Sequence, residues 1–198
     1  MSVAILLQDD ALVPAVAHLR ELLAAEQTIG DPDEMAGLSE AERLRLHEKR
    51  RAYKSRAAGL SNSMRSASRA QPRVAQEKWL IGTHRELMAS LEQGRSAIDV
   101  QADDAREREA ATRRRAEYDA ALTFVRTGAQ AIVGYTPKLV VDWFAAKGIM
   151  PPPGAAINDV WSTRKFSSLP RLEERLRTEQ EALDRAMEKV ERELRTPI

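Results

Sequence analysis

The chain has 198 residues with 31 basic and 30 acidic side chains, a formal net charge of +1 and no cysteine. That length accommodates one substantial helical domain or two small ones without a stabilising metal or disulfide. The missing cysteines exclude disulfide frameworks and thiolate metal sites, and they point to a reducing, cytoplasmic setting or the inside of an assembled particle. Alanine occurs 31 times and arginine 24 times against seven lysines, and aromatics make up 5% of the chain. Local propensity therefore favours helix over strand. The expected fold is all-α: an elongated antiparallel helical bundle with a long C-terminal amphipathic helix after a Pro-rich joint. Arginine's planar fork suits phosphate and carboxylate recognition, although GC-rich coding produces the same Ala and Arg bias.

The opening apolar stretch, Ser2 to Leu7, has no basic segment before it and runs into Asp9 and Asp10, unlike a secretory signal. No apolar run approaches the roughly 20 residues of a membrane span. A first helix is predicted over 10–27, with Leu12, Val16, Leu19, Leu22 and Leu23 on one stripe and Pro14 in its first turn. Gly30-Asp31-Pro32-Asp33 breaks it. Ser39 followed by Glu42 forms a capping box that opens a second helix, predicted to run beyond Tyr53 and to fray near Gly59. Pro72 then suits the first turn of a third helix, carrying Val74, Trp79, Leu80, Leu87 and Leu91 and stopping at Gly94. A fourth is predicted over 96–127 and a short one from Thr136-Pro137 through Lys147, ended by Gly148.

Met150-Pro151-Pro152-Pro153-Gly154 reads as a stiff linker, which divides the chain into a bundle over 1–149 and a joint plus final helix over 150–198. That final helix carries Leu169, Leu172, Leu176, Leu183, Met187, Val190 and Leu194, at offsets 0, 3, 7, 14, 18, 21 and 25. The spacing is one stripe of a 3.6-residue helix and demands a partner surface, either the chain's own core or another subunit.

The small net charge hides a strong local asymmetry. Residues 1–42 carry nine acids against Arg20 alone, a balance of −8. Residues 43–73 carry Arg43, Arg45, Lys49, Arg50, Arg51, Lys54, Arg56, Arg65, Arg69 and Arg73 against Glu48 alone, a balance of +9. Such a helix could track a phosphate backbone, with salt-dependent binding, or could face the acidic N-terminal segment or an acidic partner through solvated ion pairs. The run from Glu48 to Ala58 resembles a bZIP basic region, but no leucine heptad follows in register and Gly59 interrupts the pattern.

The stretch Thr127 to Gly148 resembles a helix-turn-helix unit, with Gly134 at the turn and Thr136-Pro137 opening the second helix. The resemblance implies that Val140 and Trp143 pack inward. It departs from the family at Gln130, where a buried alanine is usual. It also departs in a recognition helix whose only charged groups are Lys138, Asp142 and Lys147. Trp161 and Phe166 are expected to pack beside Trp143 and Phe144.

His18, His47 and His84 lie in separate segments, none at the spacing of a zinc-binding helix. Asp103, Asp104, Glu107 and Glu109 alternate with Arg106 and Arg108, as on a solvated helix face. No Gly-rich phosphate loop or nucleophile elbow is present, so neither catalysis, cofactor nor metal is expected. The expected function is that of a helical assembly or adaptor protein docking onto copies of itself or a larger complex through the C-terminal stripe, as a virion or mobile-element component would. The alternative is a nucleic-acid binder using the basic helix 43–73, with 127–148 as a second contact.

Overall fold

Five helices and no strand occur among the residues described by the computed structural model, which are 12–101, 103–128, 136–148 and 167–198. The class is all-α, with a long helix at the C-terminus. The Pro-rich linker lies outside the described residues, as do Gln130, Gly134, Trp161 and Phe166.

Helix α1, Val13–Ile29, has proline in its first turn and ends at Gly30, whose φ of 68° lets its N–H reach back to the Gln27 carbonyl at 3.0 Å. Ala15, Val16 and Leu22 are buried along it, joined by Leu12 just before it. Leu23, expected on the same stripe, is 42% exposed because it follows Leu22 by 100° of helical rotation and so leaves the buried face.

Helix α2, Glu40–Ser96, is a single element of 57 residues. It starts at the anticipated capping box. The Ser39 N–H donates to Glu42 Oε2 at 2.8 Å, the Ser39 hydroxyl donates to the same oxygen at 2.6 Å, and the Glu42 N–H donates to Ser39 Oγ at 3.3 Å. Two features differ from expectation, since the helix neither frays at Gly59 nor restarts at Pro72. A mid-helix glycine costs about 1 kcal/mol relative to alanine, and a proline about 3, because it removes the donor for the carbonyl four residues earlier. Packing outweighs both. Within the first unit Ala57, Leu60, Met64, Ala67, Ala70 and Val74 are buried at steps of three and four, and within the second Leu80, Leu87 and Leu91 are buried, while Gly59 and Pro72 are exposed. Three members of this row are alanines, too small to announce a core in a sequence this rich in alanine.

Helix α3, Ala105–Thr127, begins where the Asp104 carboxylate accepts from the Arg106 N–H at 3.2 Å and ends at left-handed Gly128, φ 70°. It starts later than predicted because α2 continues through Ser96. Gly94, expected as a stop, lies inside α2. A Cβ there would stand 2.5 Å from the Tyr118 ring, so glycine admits the close approach of α3. Helix α4 is Lys138–Ala146 and helix α5 is Leu169–Leu194.

The described chain divides into two compact units, one of residues 1–74 and 178–198, the other of 75–177. In the first unit, Leu12, Ala15, Val16 and Leu22 of the α1 region close on Ala57, Leu60, Met64 and Ala67 of α2 and on Ala186 and Val190 of α5. Arg56 pairs with Glu193 and Arg73 with Glu179, so α5 runs antiparallel to α2 there. In the second unit, Leu87 and Leu91 of α2 pack with Ala121, Leu122, Phe124 and Val125 of α3 and with Val140 and Phe144 of α4. A separate cluster joins Leu80 and Ile81 to Leu172.

Two predictions follow from this packing. Leu172 is fully buried, so Leu172→Ala should cost about 2–5 kcal/mol in equilibrium urea unfolding. By contrast Leu44→Ala, at a position 59% exposed, should stay within about 0.5 kcal/mol of wild type. The Ser39 hydroxyl, then the Ser39 N–H, hold the Glu42 carboxyl below its ordinary range. A lowered carboxylate value stabilises the fold above the unfolded-state value, and the gain disappears as pH falls through the folded-state value. The stability difference between wild type and Ser39→Ala should therefore shrink on acidification, as read from unfolding curves at a series of pH values.

Candidate nucleic-acid interface

The ten basic residues between positions 43 and 73 all lie on α2 within the first unit, where the side of the helix each occupies separates them into two groups. Arg50, Arg56 and Arg73 turn towards neighbouring elements. Arg50 Nε meets Glu26 at 3.3 Å and its Nη1 lies 3.9 Å from Asp31. Arg56 donates to Glu193 at 2.6 Å and to the carbonyls of Thr196 and Pro197 at 2.9 Å each, tying the end of the chain to α2. Arg73 lies 3.6 Å from Glu179. Part of the basic run is thus matched to acids of α1, its following loop and α5. The α1 side of that match was open to sequence reasoning. Glu193, 137 residues from Arg56, was not.

Arg43, Arg45, Lys49, Arg51, Lys54, Arg65 and Arg69 have no carboxylate partner among the described residues. Arg43 is half-buried with its Nε unbonded among the described residues, and Lys49 sits over the Tyr53 ring at 5.7 Å. Arg51, Lys54, Arg65 and Arg69 fall within a sector of about 120° centred opposite Ala57, Leu60, Met64 and Ala67, at 100° of rotation per residue, with Arg65 half-buried and the other three exposed. Ser55, Ala58, Asn62 and Ser66 share that sector and are exposed. No acidic residue occurs between Glu48 and Glu77, so this outer face contains no internal neutralising charge. Its cations remain hydrated and able to exchange counterions.

The C-terminal stripe packs on the chain's own cores, with two of its seven residues fully buried and five half-buried. Leu172 is buried against Leu80 and Ile81 with Leu169 and Leu176 alongside, while Val190 is buried in the first-unit core with Leu183, Met187 and Leu194 packed against it. All seven residues read as a protein contact are engaged by the chain's own cores.

The described part of the helix-turn-helix-like stretch is Thr127, Gly128 and residues 136–148. On α4 the inward residues are Val140 and Phe144, with Trp143 half-buried and edge-on to Phe144 at 5.4 Å. Lys138 pairs with Asp142, and Lys147 lies 3.5 Å from Glu86 and 5.2 Å from the Trp143 ring. The three charged groups of this short helix are therefore occupied.

The histidines serve separate local roles. His84 is buried, with Nδ1 2.8 Å from the Leu80 carbonyl and its ring edge-on to Phe144. His47 faces Asp33 at 3.0 Å, and His18 lies 3.8 Å from Glu21 and 3.7 Å from Glu193. Among the described residues no group of three His, Asp or Glu side chains could hold a metal ion. Asp103, Asp104, Glu107 and Glu109 are exposed at the start of α3, where Asp104 caps the helix and Glu109 pairs with Arg113. No described helix is long and apolar enough to cross a membrane. Compared with known protein families, characterised proteins and solved structures, the chain matches none.

A feature without a local sequence signal is the pair formed by Glu77, whose side chain is 4% exposed, and Arg175, whose Nη2 lies 3.3 Å from Glu77 Oε2. Arg175→Leu leaves that carboxylate buried and should cost about 2–3 kcal/mol, less than a fully buried pair because Arg175 is partly exposed. Replacing both residues by leucine should recover most of the loss in the same unfolding assay.

Proposed function

We propose that this protein is a non-enzymatic nucleic-acid-binding protein whose contact surface is the outer face of α2 in the first unit. The observation that carries the proposal is the acid-free sector bearing exposed Arg51, Lys54 and Arg69 and half-buried Arg65, none with a carboxylate partner among the described residues. Cations left hydrated on a continuous helical face can neutralise successive phosphates, and the release of counterions drives association. The helix-turn-helix-like stretch is given no part in this reading, since the charged groups of α4 are occupied.

A helical assembly or adaptor role is the second reading. It is favoured by apolar side chains that remain exposed, Leu23 and Leu44 in the first unit, instead of by the α5 stripe. The two readings separate in one assay. Fluorescence anisotropy of nuclease-treated protein with a mixed-sequence DNA duplex and a single strand should show binding at about 50 mM salt that weakens steeply by about 200 mM. Reversing Arg51, Lys54, Arg65 and Arg69 to glutamate should abolish binding, and changing them to alanine should lower the slope of log K against log salt by about 3 to 4. Arg50 and Arg56 are left intact because their partners hold the first unit together. Absence of binding at the lower salt, with helicity unchanged, would sink the nucleic-acid reading and move the search to protein partners.

A further inference from the structure

The outer face of α2 is not uniformly basic, and the arrangement of its cations points to the form of nucleic acid it fits. Arg51 and Lys54 make one group and Arg65 and Arg69 another, while between them the exposed positions are Ser55, Ala58, Gly59 and Asn62. With a rise of about 1.5 Å per residue, the inner members of the two groups, Lys54 and Arg65, stand roughly 16 Å apart along the axis. The outer members, Arg51 and Arg69, stand roughly 27 Å apart. Among the exposed positions of the interval no side chain is longer than asparagine, and a Cβ added at Gly59 would meet nothing within 4 Å. Two serine hydroxyls on this stretch fold back onto the helix, Ser63 donating to the Gly59 carbonyl and Ser66 to the Asn62 carbonyl, each at 3.0 Å. The surface between the cation groups is consequently low, polar and open.

We infer that this face is shaped for the major groove of B-form duplex DNA, an inference that rests on the nucleic-acid reading above. The major groove is about 12 Å wide and admits a helix of about 10–12 Å diameter, provided the side chains facing its floor are short. A straight helix set into that groove leaves it at both ends, because the duplex curves away, and its terminal positions then pass over the phosphates of opposite strands. Arg51 with Lys54 and Arg65 with Arg69 stand where those phosphates lie. Ser55, Ala58 and Asn62 stand over the floor, where Asn62 offers the amide that pairs with adenine N6 and N7. A-form RNA duplexes present a deep, narrow major groove that such a helix cannot enter. A single strand offers phosphates without a groove. Backbone attraction alone would treat all three polyanions alike at equal phosphate density, whereas groove insertion discriminates among them.

The test compares the full-length protein on a DNA duplex and an RNA duplex of the same sequence at about 50 mM salt, for wild type and for Ala58→Leu. Position 58 is exposed on a helix and leucine is a strong helix former, so the variant should keep wild-type circular dichroism and unfolding midpoint. The expected result is DNA bound at least ten-fold more tightly than RNA, with Ala58→Leu narrowing that gap by weakening DNA binding alone. Equal affinity for both duplexes, or an Ala58→Leu variant with unchanged DNA affinity, would overturn groove insertion while leaving phosphate binding by α2 in place. Failure to bind either duplex would overturn the nucleic-acid reading itself.

Discussion

The buried row along α2 is the constraint on which the other elements depend. Ala57, Leu60, Met64, Ala67, Ala70 and Val74 supply the first unit's share of it, and Leu80, Leu87 and Leu91 the second's. In each unit the remaining helices are arranged by what this row offers. Small residues in the first half let α1 and the end of α5 come close, and larger ones in the second half meet the aromatic and aliphatic side chains of α3 and α4. Burial of this kind contributes on the order of 1.5–3 kcal/mol per large apolar side chain, enough in sum to keep the helix continuous through both Gly59 and Pro72.

In the first unit α2 commits one side to the core and leaves the other free of packing demands, and charge settles there according to angle. Arg56 and Lys54 are two positions apart, yet Arg56 reaches Glu193 and the terminal carbonyls while Lys54 faces water. Arg50 and Arg56 are held by charge-assisted hydrogen bonds in partly desolvated surroundings, where such bonds are strong. The exposed cations interact weakly with distant carboxylates across water and salt. One basic run therefore performs two tasks, anchoring the first unit and presenting an unneutralised face.

The same angular logic applies to the α5 stripe. An amphipathic helix must bury its apolar side somewhere, and the periodicity alone does not say whether the covering surface is its own chain or another. Leu172 and Val190 are covered by α2, and the neighbouring stripe residues pack around them, which leaves the polar side of α5, rich in Glu and Arg, outward. Salt bridges at i,i+4 along that side, such as Glu188 with Arg192 and Glu191 with Arg195, belong to a solvated helix surface.

By itself the sequence determined the all-α class, the capping box at Ser39 and Glu42, the turn at Gly30, the helix end at Thr127 and the segregation of charge into an acidic stretch and a basic one. These are local consequences of side-chain chemistry and backbone freedom, complete within a few residues, and so they are legible without a fold. Tertiary structure alone decided that Gly59, Pro72 and Gly94 lie inside one helix, that Trp143 is only half-buried while Phe144 is enclosed, and that Glu77 finds Arg175. It also decided which arginines pair and which face water. Each of those outcomes turns on which side of a helix meets a segment distant in sequence. That information resides in packing between elements, where burial of an alanine-rich row outweighs the local cost of a glycine or a proline.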